Sequence, residues 1–275
     1  MITTWAELTT NLRASYARMW VRLRGSNRDP VALVAEIGLP ILTIGAYVIL
    51  YRAIGLPPTA GAAVIIGGAM IAFWTNVLWN MSSQWFWERE QGNLEMYLVA
   101  PVSRMSILLG MALGGSLNTS IRAFGIVLLG IFAFQVPFHL VDPFSVMVVF
   151  VLTLAALYTM GMLFASLFML YGREAWNTAN LLQEPVYFLS GALFPAFYAP
   201  IVPFALQAAG SLIPMTIGLD AIRRLVINGA SLMTIWPHIL ALVACILILF
   251  PLARRTLNYM ESLGKKEGRL TLRWQ

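Results

Sequence analysis

The chain has 275 residues, of which 59% are hydrophobic and only 11% charged, with a formal net charge of +6. Soluble domains carry about 25% charged residues, and a soluble fold of this length cannot bury so much apolar surface. This composition excludes an ordinary soluble protein and indicates an integral membrane protein. We therefore expect the basic residues to lie at one side of a membrane, and no nucleic-acid partner.

Residues 1–28 contain five arginines and are predicted to form an amphipathic helix. Its apolar residues recur at steps of three and four and therefore share one helix face: Trp5, Leu8, Leu12, Tyr16, Met19, Trp20 and Leu23. Arg18 and Arg22 lie on the opposite face. This pattern is typical of a helix on the cytoplasmic membrane surface, in contact with lipid, or of a helix packed on a partner protein.

Six apolar runs in region 31–252 reach the roughly 20 residues that a helix needs to cross a bilayer. They are 31–51, 60–81, 105–136, 143–170, 176–198 and 232–252. Only helices satisfy every backbone N–H and C=O group within lipid in such runs. The sequence therefore predicts a single all-α transmembrane domain, 1–275, with six spans.

The apolar stretch 199–219 is interrupted by prolines and glycines, which disfavour one continuous helix. We expect two short helices that dip into the membrane within a re-entrant region, 199–224. A seventh span is the alternative.

The lysines and arginines set the orientation. With the N-terminus inside, 14 of the 18 lie on the cytoplasmic side. The exceptions are Arg122, within a span, and Arg52, Arg223 and Arg224, outside. Both termini, including the basic tail 253–275, are therefore predicted to be cytoplasmic, which requires an even number of spans. The expected location is the cell membrane, inner or plasma.

Motifs for catalysis and metal binding are missing from the sequence. It contains no G-x-x-x-x-G-K-[ST] phosphate-binding loop, and its first lysine is Lys265. His139 and His238 have no cysteine, histidine or carboxylate at ligand spacing, so we expect no metal. The chain is therefore not predicted to be an enzyme.

The cytoplasmic loop 83–104 has the most informative pattern. A charged cluster at 88–90 is followed by Gly92, a short helix and Pro101. Leu94, Tyr97 and Leu98 share one face of that helix. Such a loop either receives a push from a soluble partner or is an ordinary solvated loop.

This loop resembles the signature of ABC type-2 transporter permeases, often E-R-E-x-G-T-L-E-x-L-x-x-T-P-V-S. It departs from that signature at Asn93 and Ala100. The segment L-S-G-A-L-F-P at 189–195 is similar to the family's S-G-x-x-F-P motif. A third resemblance is Ile213-Pro214 followed by Gly218-Leu219-Asp220 and Ile222-Arg223. The resemblance covers essentially the whole chain and is to the drug-exporter and nodulation-factor-exporter branch.

The resemblance implies a homodimer that binds two ABC ATPase subunits, which hold ATP and Mg²⁺, whereas this chain needs no cofactor. It implies an exporter of an amphipathic or hydrophobic substrate such as a drug, a lipid or a lipid-linked glycan. The alternatives are a polysaccharide or glycolipid exporter of the same class, or a secondary transporter or channel without an ATPase. The resemblance also implies which residues couple this chain to the ATPase. They are Glu88, Arg89, Glu90, Gly92, Leu94, Glu95, Tyr97, Leu98 and Pro101. It assigns a re-entrant gate to Phe194, Pro195, Pro214 and Asp220.

Charged, polar and aromatic residues within the spans are candidates for the translocation pathway, because such charges in lipid are costly. They are Glu36, Asn118, Arg122, Glu184, Tyr187 and Phe188. Arg122 is expected deeper than Glu36 and Glu184, so that a direct ion pair needs a kink or a snorkelling side chain. Arg122 then has either a structural role or a direct contact with substrate.

Overall fold

The structure, a computed structural model, describes residues 5–26, 30–139, 141–171, 173–194 and 202–267. These residues contain helices and no strand. The α-helices are α1 Trp5–Ser26, α2 Pro30–Ala53, α3 Pro58–Thr75, α4 Gln84–Glu90, α5 Leu94–Val99, α6 Arg104–Phe134, α7 Pro143–Tyr171, α8 Arg173–Ser190, α9 Phe204–Ser211, α10 Pro214–Val226 and α11 Leu232–Glu267. A π-helix, Asn76–Met81, directly follows α3 and precedes α4.

Five helical segments are long and apolar enough to cross a membrane. They are Val34–Ala53, Pro58–Glu90, Arg104–Phe134, Pro143–Met169 and Leu232–Glu267. They coincide with five of the six predicted runs. The prediction of an all-helical, multi-pass membrane protein is therefore confirmed.

The sixth predicted run, 176–198, is only partly matched by α8. This helix ends at Ser190, and its polar residues keep it out of the set of long apolar helices. Residues 195–198 lie outside the described residues. Near the start of α8, the ring centroid of Trp176 lies 6.2 Å from that of Phe86 and 6.1 Å from that of Trp87, both in α4. Just beyond its end, the carbonyl of Gly191 meets Arg223, which also contacts Ala63 in α3. Between these two levels, α8 packs on α7 and on the π-helix.

The interrupted stretch forms two short helices, α9 and α10, with an angle of 96° between them. Pro214 stands at the start of α10, where its missing N–H costs no helical hydrogen bond. The predicted break is therefore confirmed, and the described part of this stretch is not one straight span.

Helix α1 packs along the first turns of α6 and runs in the same direction. Asn11 accepts a hydrogen bond from the Ser103 amide at 2.8 Å, and the Ser15 hydroxyl donates to the Ser106 carbonyl at 2.6 Å. The two helices approach so closely that a Cβ on Gly110 would lie 2.4 Å from the Ser15 carbonyl oxygen. Only a glycine fits there without moving a backbone.

The orientation of α1 about its axis determines which of its two faces packs on the rest of the chain. The arginine face turns towards the chain's own loop and α6, since Arg18 and Arg22 bond to α4. The apolar side, including Leu12 and Tyr16, is exposed. The reason is that α4 supplies polar partners for both guanidinium groups, which the sequence pattern of α1 alone does not reveal.

Helix α3 lies at the centre of the fold, in contact with α2, α6 and α10. It is therefore buried along most of its length. A Cβ on Gly67 would lie 1.8 Å from the carbonyl oxygen of Ala192, in the turn after α8. This close approach places the turn against the middle of the bundle.

Candidate functional site

The 83–104 loop folds as two short helices around a glycine turn. Gly92 has a φ of +75°, a conformation that favours glycine, and the Asn93 amide donates to the Glu88 carbonyl at 2.8 Å. Helix α5 then ends before Pro101. The structure thus has the predicted order of charged cluster, glycine, short helix and proline.

Glu88 connects α1 to this loop. Its side chain is only 4% exposed and accepts hydrogen bonds from Arg18, from Gln84 at 3.0 Å and from Asn93 at 3.2 Å. A buried carboxylate is stable only with such partners. The guanidinium carbon of Arg18 also lies 5.4 Å from the centre of the Tyr97 ring. Burial raises the pKa of Tyr97 above its ordinary value.

Helix α5 has a buried face and an exposed face. Leu94 is 1% exposed, and the Tyr97 ring packs edge-on against Trp85 with 5.9 Å between centroids. On the other side, Met96 is 67% exposed and Val99 is 86% exposed. The predicted face of Leu94, Tyr97 and Leu98 therefore packs on the chain itself.

The remaining predicted coupling residues lie at the surface of the loop or near it. Glu90, Gly92, Glu95 and Pro101 are exposed. Arg89 is half-buried, 3.7 Å from Glu90. Sequence reasoning missed Met96 and Val99, although apolar residues on the polar side of a short amphipathic helix were an available signal.

The far end of α11 also reaches this loop. Arg104 donates to Glu261 at 2.8 Å and to the Leu98 carbonyl at 3.3 Å. Lys265 donates to the same Glu261 carboxylate at 2.6 Å. The loop is therefore held between α1 and α11. We call this end of the molecule the loop end.

A cavity of about 340 Å³ lies between α2, α3 and α6, and it contains two of the predicted pathway residues. Arg122, which is 8% exposed, forms a direct ion pair with Glu36 across it. Arg122 is expected from the sequence to lie deeper than Glu36. The two side chains nevertheless meet directly, because α2 packs beside the stretch of α6 that carries Arg122. Asn76 of the π-helix also lines the cavity.

The other pathway residues are dispersed. The Tyr187 hydroxyl lies 2.9 Å from the hydroxyl of Thr75, which lines the cavity. Asn118 is buried on α6 but is not part of the lining. Glu184 is exposed and accepts a hydrogen bond from Gln183 at 3.4 Å, while Phe188 packs against Phe194 with 5.6 Å between ring centroids.

The opposite end of the molecule is organised by Arg223 of α10. Its guanidinium group donates to the carbonyls of Ala63 at 2.9 Å, Gly191 at 2.9 Å and Ala192 at 2.8 Å. One side chain therefore joins α10, α3 and the turn after α8. We call this end the Arg223 end. The sequence had assigned no role to this arginine.

Two of the predicted gate residues lie beside Arg223. Asp220 accepts hydrogen bonds from Arg224 and from His238, both at 2.8 Å. Phe194 and Asp220 line a cavity of about 590 Å³. The third gate residue, Pro214, begins α10 and is buried, and Pro195 lies outside the described residues. No group of three or more potential metal ligands occurs in the described part of the chain.

Comparison with known proteins identifies the family. Residues 55–255 match the family model described as "ABC-2 family transporter protein". The chain belongs to the ABC-2 transporter family. Members of this family are membrane transport subunits, and a separate partner subunit hydrolyses ATP.

Two curated relatives match part of the chain. The chain is 28% identical over 151 residues to the "Probable multidrug ABC transporter permease YbhR" of Escherichia coli strain K12, and equally to that of strain O157:H7. The match covers 54% of this chain and 39% of each relative.

Proposed function

We propose that this ABC-2 chain is the permease of an ATP-driven exporter. It works as a homodimer with two ATPase subunits, which carry ATP and Mg²⁺. Its substrate is amphipathic or hydrophobic, such as a drug, a lipid or a lipid-linked glycan, and moves from the cytoplasmic side outwards. The multidrug description of the relatives supports this substrate class.

The observation that carries the proposal is the exposed apolar side of α5. Met96 and Val99 face outwards from the loop end, whereas Leu94 anchors the same helix in the core. Exposed apolar side chains beside a charged loop mark an interaction surface. We assign this surface to the ATPase, with Glu95 and Pro101 beside it.

The contacts of the loop explain how a push on α5 would reach the spans. Glu88 links α4 to α1, which packs along α6. Arg104 links the loop to α11 through Glu261. The buried coupling residues Glu88 and Leu94 therefore transmit the push within the chain rather than touch the ATPase.

The loop end is proposed to be cytoplasmic. It carries Arg18, Arg89, Arg104 and Lys265, and an excess of basic residues is typical of the inner side. Helix α1 and the end of α11 both reach it, so both termini are proposed to be inside. This requires six crossings, with α8 as the fifth in chain order.

Three further parts of the topology complete the proposal. Helices α9 and α10 form the re-entrant pair at the outer side, with Phe194, Pro195, Pro214 and Asp220 as the gate. Helix α1, within region 1–28, turns its exposed apolar side to the inner membrane surface. Region 253–275 is the cytoplasmic tail.

Purification with candidate ABC ATPases from the same genome, followed by ATP hydrolysis measurements in proteoliposomes, tests the proposal. The variant Val99→Asp should weaken ATPase binding about tenfold or more, as expected for a residue at the centre of an interface. The matched control is Val141→Asp, which adds the same charge at a position that is also exposed, between α6 and α7. It should bind the ATPase normally.

Two results would overturn parts of this proposal. A chain that binds no ATPase is not an exporter permease of this class. Equal ATPase binding by Val99→Asp and Val141→Asp would remove α5 from the interface.

A further inference from the structure

Part of the lining of the cavity between α2, α3 and α6 is polar, although these helices are mostly apolar. We propose that the cavity binds the anionic head group, a phosphate or a carboxylate, of an amphipathic substrate. This inference rests on the proposed exporter function and defines the substrate class more narrowly. Its support comes from the hydrogen-bond donors, the charges and the entrance of the cavity.

The first support is an unused donor. Asn76 is 5% exposed and lines the cavity. Its side-chain oxygen accepts the hydrogen bond of the Tyr158 hydroxyl at 2.9 Å. Its amide nitrogen has no hydrogen-bond partner among the described residues. This nitrogen is not fully enclosed by protein, so it can donate to a ligand oxygen in the cavity.

Further donors lie on the same lining. Asn80, four residues later, is exposed at the cavity, and the Arg122 guanidinium group lies across it. Guanidinium and amide N–H groups that converge on one space match the oxygens of a phosphate or carboxylate. Charge-assisted hydrogen bonds of this kind are stronger than neutral ones.

The second support is the charge balance around the cavity. Arg22 of α1 lies close enough to Arg122 for the two positive charges to repel each other. Its hydrogen bond is to the neutral Gln84 side chain, at 2.7 Å. Glu36 is the one carboxylate among the lining residues. Arg22 is not part of the lining, but its positive charge adds to that of Arg122 beside the Glu36 carboxylate, and an anion in the cavity would reduce this positive excess.

The third support is an apolar entrance. Leu39 at the rim of the cavity is exposed, and Pro40, Ile71 and Ala72 continue the lining. The Glu36 side chain is 45% exposed at the same rim. An amphiphile can therefore enter between α2 and α3 from the side, place its head group beside Arg122 and leave its tail against apolar residues.

Amphiphiles with one tail and different head groups test the inference. The purified chain in nanodiscs of zwitterionic lipid would be titrated calorimetrically with dodecyl phosphate, dodecyltrimethylammonium and dodecyl maltoside, and with inorganic phosphate alone. We expect dodecyl phosphate to bind about tenfold or more tightly than the other three.

Asn76→Asp is the most informative variant, because it keeps the acceptor for Tyr158 and replaces the free donor with a negative charge. It should lower the affinity for dodecyl phosphate about tenfold or more. Val141→Asp, which adds the same charge far from the cavity, should not change it. Arg122→Gln should act in the same direction as Asn76→Asp.

Several results would overturn the inference. These are equal binding of the three amphiphiles, tighter binding of the cation, binding of inorganic phosphate as tight as that of dodecyl phosphate, or unchanged affinity in Asn76→Asp. Such a failure with normal ATPase binding would leave the exporter function standing. Loss of the ATPase interaction with intact head-group selectivity would overturn the exporter function instead.

Discussion

Individual arginines at the two ends of the molecule join separate elements through different contacts. At the loop end, ion pairs between side chains join separate elements, Arg18 with Glu88 and Arg104 with Glu261. At the other end, Arg223 binds backbone carbonyls of α3 and of the turn after α8. Side-chain pairs can separate and form again when a helix shifts, whereas contacts to carbonyls move only with the backbone. The difference suggests a loop end that transmits motion and an Arg223 end that stays fixed.

Loss of the Arg223 contacts should have the largest effect on stability. Arg223→Gln leaves the carbonyls of Gly191 and Ala192 short of a donor, whereas the Ala63 carbonyl lies within α3 and keeps its helical hydrogen bond. Each buried acceptor without a partner costs roughly 1–3 kcal/mol. We expect a loss of about 3 kcal/mol or more, measured by thermal or denaturant unfolding in detergent. Arg224→Gln is the control, since that side chain is exposed and pairs only at the surface. Equal losses in the two variants would contradict a fixed Arg223 end.

The Arg18–Glu88 pair should have an intermediate effect. Glu88→Gln and Arg18→Gln should each cost about 1–3 kcal/mol, because each leaves a charge without its partner. The double variant should cost less than the sum of the single ones. Unfolding experiments give these free energies, and limited proteolysis reports whether α1 detaches.

The same pair also distinguishes motion from stability. If the loop end transmits motion, Glu88→Gln should lower transport more than ATP hydrolysis in proteoliposomes. Lys265→Gln is the control, because it removes only the exposed partner of Glu261. Strictly additive free energies and unchanged transport would remove the difference drawn here between the two ends.

The smallest effect is expected at Asp142, a half-buried residue just before α7. Hydrogen bonds from the Ser145 hydroxyl and backbone N–H hold the pKa of Asp142 below its ordinary value. Its charged form therefore stabilises the folded state above the unfolded pKa, and this contribution is lost as the pH falls through the folded pKa. Asp142→Asn should lower the melting temperature slightly at pH 7 and not at all in strong acid. A difference that grows towards acid pH would contradict this assignment.

The local structure around the candidate site follows from the sequence where neighbouring residues decide it, whereas contacts with a distant element do not. The glycine turn at Gly92 and the helix before Pro101 follow from residue types alone. The helical spacing of α5 separates the face of Leu94 and Tyr97 from that of Met96, but which face is buried depends on how α5 lies against Trp85. The direct pair of Arg122 with Glu36 likewise depends on the packing of α2 beside α6.

The amino-acid sequence by itself determined that this is a helical membrane protein, where most spans lie and where the chain breaks before α10. These properties follow from run length, hydropathy and proline, which act over neighbouring residues. The tertiary structure alone decided which face of α1 packs on the rest of the chain, which side of α5 is exposed and which carbonyls Arg223 binds. Each of those outcomes depends on groups far apart in the chain, such as Arg18 and Glu88. A buried polar side chain is stable only where such a group gives it a hydrogen bond or an opposite charge.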